Sequence, residues 1–103
     1  MAIAEIDAGK CGYHTRVETS MDGDSCAIQI TSECPAIQRL AEALKMVSPY
    51  EEISFRRKMP SILELGAKYC THAACIVPVG VIKAVEIEAK LALPQDVHIL
   101  LSK

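Results

Sequence analysis

Thr15-Arg16-Val17-Glu18-Thr19-Ser20-Met21-Asp22-Gly23-Asp24-Ser25-Cys26-Ala27-Ile28-Gln29-Ile30 decides how this chain folds. From Cys11 to Ser20, Tyr13, Thr15, Val17 and Thr19 alternate with His14, Arg16 and Glu18, the period of a strand with one face buried. Asp22-Gly23 between alternating segments is a hairpin signal, because glycine accepts the positive φ a tight turn needs. The return strand runs from Ser25 to Glu33. With Asp22-Gly23 as the loop, the register pairs Thr19 with Cys26, Val17 with Ile28, Thr15 with Ile30 and Tyr13 with Ser32. One further step on the same face opposes Cys11 and Cys34, whose Cβ atoms would then lie about 4.5 to 5.5 Å apart. Val17, Ile28 and Ile30 share that face, which turns both thiols toward the core.

Upstream, Ile3 to Asp7 is a short strand ending before Gly9. Downstream, Pro35 suits a first helical position, since its missing amide proton has no partner inside a helix. Ile37, Leu40, Ala41 and Leu44 continue at helical spacing to about Val47. Cys34 is thereby the N-cap, where the positive end of the helix dipole favours a thiolate. Tyr50 to Met59 supports either a helical Glu52–Arg56 pair or a short strand through Ile53 and Phe55. A second helix starts at Pro60-Ser61 and carries Ile62, Leu65, Gly66 and Tyr69 on one face. A third starts near Pro78, buries Ile82, Val85 and Ala89, and closes before Leu93-Pro94. Val97, Ile99 and Leu101 alternate with His98 and Ser102 as a last strand joining the sheet. The expectation is one α+β domain over residues 1–103: an antiparallel sheet with an N-terminal hairpin and a C-terminal strand, and about three helices packed on one face.

The connection between the second and third helices, Cys70-Thr71-His72-Ala73-Ala74-Cys75, carries the densest chemistry. It holds three soft-metal ligands within six residues. Structural zinc takes four ligands, and thiolates from paired strands and from a helix-flanking turn suit it. The candidate set is Cys11, Cys34, Cys70 and Cys75, with His72 as a substitute ligand or an outer hydrogen-bonding group. Against this stands plain burial, because cysteine packs as a small hydrophobe. Burial accounts for Cys26, and it competes evenly with metal binding for Cys11 and Cys34. A disulfide between Cys11 and Cys34 fits the same spacing. His14 and His98 fall on solvent faces, and Asp22 and Asp24 serve the turn.

Composition narrows the function classes. With 11 basic against 13 acidic residues, one Phe, three Tyr and no Trp, nothing supports nucleic-acid binding by a basic patch or by base stacking. Nowhere do about 18 apolar residues run together, and the acidic N-terminus lacks the character of a signal peptide, so no membrane partner is expected and the location read is cytoplasmic. Thiols stay reduced there, which favours metal, catalysis or burial over a disulfide framework for the five cysteines. The composition allows a protein partner and a homo-oligomer. No phosphate-binding glycine loop, nucleophile elbow or carboxylate dyad is present, and the chain leans away from an enzyme.

Ordered in this way, the four cysteines resemble the TSCPD-type domain, a small module at one end of some vitamin B12-dependent ribonucleotide reductases that also occurs as stand-alone bacterial proteins. The similarity rests on Cys11-Gly12 opening a hairpin, Cys34 closing it before a helix, Cys70 after a second helix and Cys75 before a third. The signature Thr-Ser-Cys-Pro-Asp is here Ala73-Ala74-Cys75-Ile76-Val77-Pro78, with proline displaced and aspartate absent. The resemblance implies zinc on Cys11, Cys34, Cys70 and Cys75. The chain also looks like small stand-alone proteins of unknown function from anaerobic bacteria and archaea, which implies an iron-sulfur cluster as the rival cofactor. Two other readings remain: a sulfur carrier or sulfurtransferase using Cys34, and an interaction module with buried cysteines and no metal.

Overall fold

The computed structural model describes every residue from Met1 to Lys103. The order is β1 (Ala2–Asp7), β2 (His14–Asp22), β3 (Ser25–Ser32), α1 (Pro35–Ala43), β4 (Met46–Val47), α2 (Pro49–Glu52), α3 (Ser61–Tyr69) and α4 (Val77–Glu88). The strands form one antiparallel sheet in the order β1-β2-β3-β4, so chain neighbours are sheet neighbours. With four helices, one more than the sequence suggests, this is an α+β fold.

One face of the sheet is apolar and the other charged, as period-two alternation requires. Thr15, Val17, Thr19, Cys26 and Ile28 are buried beneath the helices together with Ile37, Leu40, Ile62, Val81 and Val85. Thr19 keeps its hydroxyl satisfied in this core by donating to the carbonyls of Ala2 (3.2 Å) and Ala84 (3.3 Å). On the open face, His14 Nδ1 lies 2.8 Å from Asp7 and Nε2 2.8 Å from Glu5. Arg16 contacts Glu5 and donates to Glu18 at 2.9 Å. Asp7 first and then Glu5 raise the His14 pKa, and His14 chiefly lowers that of Glu5.

The hairpin forms with its faces as expected and its register displaced. Thr19 pairs with Ile28, Val17 with Ile30 and Thr15 with Ser32, each partner two residues beyond the expected one. The reason is the turn. Gly23 and Asp24 are the loop residues, and only Gly23 has positive φ, at 64°, the pattern of a type II′ turn with glycine in first position. Because the displacement is even, every side chain keeps its face.

Three other expectations are corrected. The first helix ends at Ala43, and Met46–Val47 pairs with β3 instead of continuing the helix. The ambiguous segment after it is a single turn, α2, followed by irregular chain. Residues 93–103 form no strand, and Val97, Ile99 and Leu101 are exposed. Alternation there supplies an apolar side without a turn to place it beside a partner.

Candidate metal centre

Each cysteine arrives by a different local device. Cys11 lies on the loop Ala8–Tyr13 joining β1 to β2, which closes through Gly12 N–H donating to Gly9 O (2.9 Å) and Ala8 N–H to Tyr13 O (3.2 Å). Gly9 and Gly12 both have positive φ, a conformation that costs non-glycine residues about 1 to 2 kcal/mol. Cys11 is exposed at the tip of this loop. The direct Cys11–Cys34 opposition expected from the hairpin therefore does not occur: β2 begins only at His14, and Ser32, the last residue of β3, faces Thr15.

Cys34 is the N-cap of α1, with Pro35 in the first turn. Ser32 fixes this corner. Its Oγ accepts from Thr15 Oγ1 (2.9 Å) and from Cys34 N–H (3.2 Å), and its carbonyl accepts from the Gln38 amide (2.8 Å). Ser32 escaped the sequence reading, since only the true register shows that it faces Thr15.

Cys70 terminates α3, its N–H donating to Gly66 O at 2.8 Å. The helix is held at its other end by Glu52, whose buried carboxylate accepts from Ile62 N–H (2.8 Å) and from Ser61 Oγ (2.6 Å). Against α4, Gly66 is the contact point: a Cβ there would stand 2.7 Å from the Pro78 ring. That spacing brings the C-terminus of α3 and the N-terminus of α4 close together and confines Cys70 and Cys75 to a short turn, closed by Cys75 N–H donating to His72 O (3.2 Å).

Cys11, Cys34, Cys70 and Cys75 all line one cavity of about 730 Å³, together with His72. Burial first, and then the Cys75 and Cys34 thiols, push the Cys70 pKa up to about 11. Cys75 and Cys34 are thus both near enough to act on Cys70, while Cys11 lies on the exposed β1–β2 loop. No three potential ligands stand within coordinating reach of one another as the side chains are placed. The donor set nevertheless suits a soft metal, since all four are thiols and none is held in a disulfide. Lys10 and Arg39 also line the cavity and no carboxylate does, so its fixed charge complements thiolates. Cys26 lies elsewhere, fully buried in the core, with burial raising its pKa, which is the behaviour of a packing residue.

The fold and this cavity define a small α+β domain with four thiols gathered from the sheet side and the helix side. The chain belongs to a family of unknown function, DUF6951, whose model matches residues 2–101. No curated protein and no solved structure matches it. No helix is long and apolar enough to cross a membrane.

Proposed function

We propose that this chain is a small cytoplasmic metal-binding domain, structural or regulatory in role, whose ligands are Cys11, Cys34, Cys70 and Cys75. The observation that carries the reading is that cysteines from three separate regions of the sequence line one cavity. The positions are also those implied by the resemblance to the TSCPD-type domain. Zinc is the leading metal and an iron-sulfur cluster the alternative, because four thiolates suit both. When bound, either would cross-link the β1–β2 loop, the start of α1 and the α3–α4 turn. The chain supplies the rest: Ser32 orients Cys34, Gly66 sets the approach of α3 to α4, and Lys10 and Arg39 offset ligand charge. Cys70 must surrender a proton held up to about 11, so metal uptake releases acid and weakens as pH falls.

Elemental analysis of protein purified without oxygen tests this. Wild type should carry stoichiometric zinc or iron, Cys75→Ser should lose most of it, and a chelator should lower the melting temperature. Wild type without stoichiometric metal refutes the proposal. A second reading draws on Cys34 alone, a thiol at a helix start beside proline: a persulfide carrier. Mass spectrometry after incubation with a persulfide donor separates the two, since a metal-bound Cys34 does not take up sulfur.

A further inference from the structure

The C-terminal segment carries the sequence of a strand and the exposure of an unpaired one. Val97, Ile99 and Leu101 recur at the two-residue spacing of a strand and are 61%, 68% and 88% exposed, with Leu93 as exposed as Leu101 and Leu100 more so. Isolated apolar side chains at a surface are ordinary; a run of them in one segment marks an interface. The sheet offers two edges. At β4 the edge is only Met46–Val47, flanked by Lys45 and Pro49, residue types that discourage strand addition. At β1 it is the six-residue strand Ala2–Asp7, which contains neither lysine nor proline.

The tail cannot reach its own β1 edge in the antiparallel sense. α4 runs opposite to β1: Gly80 packs against Ile6, whereas Glu88 lies 3.3 Å from the amino group of Met1. The chain after the helix is tied down as far as Leu91, whose N–H donates to Glu86 O at 2.9 Å. Ala92 to Gln95 then span at most about 14 Å, while the strand they would have to pass is about 20 Å long. In its own sheet, the tail could only lie parallel to β1, alongside strands that are otherwise antiparallel. A second copy carries no such restriction, and reciprocal exchange closes as a two-fold dimer.

We propose that residues 96–101 add as an antiparallel strand to the β1 edge of a second copy of this chain, making a tail-exchanged homodimer. Val97, Ile99 and Leu101 would extend the helix-covered face beside Ala2, Ala4 and Ile6, while backbone hydrogen bonds satisfy the edge. Sedimentation of the full chain across a hundredfold concentration range should show a monomer–dimer equilibrium. A chain ending at Gln95 should be monomeric with an unchanged circular dichroism spectrum, and Ile99→Pro, which removes a ladder donor, should shift dissociation at least tenfold. Hydrogen exchange should show β1 amides protected in the dimer and released in both variants. A full chain that stays monomeric throughout, a truncated chain that still dimerises, or a dimer whose β1 edge exchanges freely each overturns the proposal.

Discussion

Thr15, Val17 and Thr19 recur at the same two-residue spacing as Val97, Ile99 and Leu101, yet the first set lies in a buried central strand and the second in an exposed tail. Val17 is fully buried, whereas Ile99 is two-thirds exposed. The tail is the more apolar of the two, with Leu100 where β2 has Glu18, and it is still the exposed one. The difference is a turn: Gly23 and Asp24 bring β3 alongside β2, and a loop at Ala8–Tyr13 brings β1 to its other side, while nothing after Leu91 returns the tail to an edge. Alternation specifies a face, and covalent geometry specifies the partner.

The largest test of this contrast is a pair of truncations. Ile28→Ala, opposite Thr19 in the core, should cost about 2 to 5 kcal/mol in denaturant unfolding, because it removes buried methyl groups and leaves a cavity. Ile99→Ala, at a dilution where the chain is monomeric, should change stability by less than about 0.5 kcal/mol. Equal costs would mean that the tail packs on the body. A smaller effect is expected at the turn: Gly23→Ala forces a Cβ into positive φ and should cost about 1 to 2 kcal/mol, read from the same unfolding curves.

The smallest concerns the open face of the hairpin. Asp7 and Glu5 hold His14 above its ordinary pKa of 6.5. A raised folded-state pKa means stabilisation that is complete below the unfolded value and disappears as pH rises through the folded one. Wild type should therefore lose a small, salt-sensitive increment relative to His14→Gln as pH is raised above 6.5. Parallel pH profiles for the two proteins would show that the contact contributes nothing.

Much of the fold was legible because it depends on side-chain period. The strand faces, the α1 start at Cys34-Pro35, the α3 face through Ile62 and Gly66, and the burial of Cys26 all follow from local pattern. What escaped depends on backbone detail. Asp22-Gly23-Asp24 accommodates glycine as either first or second loop residue, and the choice moves the register by two without changing a face. β4 is too short to show a period, and Glu52 as the buried acceptor for α3 is recognisable only once Ser61 and Ile62 face it. For the candidate centre, the gathering of Cys11, Cys34, Cys70 and Cys75 was read from a pairing that does not exist. The β1–β2 loop and the end of β3 nonetheless open on the same cavity as the α3–α4 turn, since β2 joins both and delivers them to one end of the sheet.

The sequential sheet also governs what happens as the chain leaves the ribosome. All four strands lie within residues 2–47 and α1 packs on β3, but the surface that β1 and β2 form around Val17 and Thr19 stays bare until α4, contributed by residues 77–88, covers it. The Thr19 hydroxyl, for one, meets its Ala84 acceptor across 65 residues of chain. Strand pairing is local and early, whereas helix docking is distant and late. A nascent sheet with part of its apolar side uncovered therefore persists for roughly 40 residues of synthesis, a few seconds at about 5 to 20 residues per second, and that interval is when the protein most needs shielding from its neighbours.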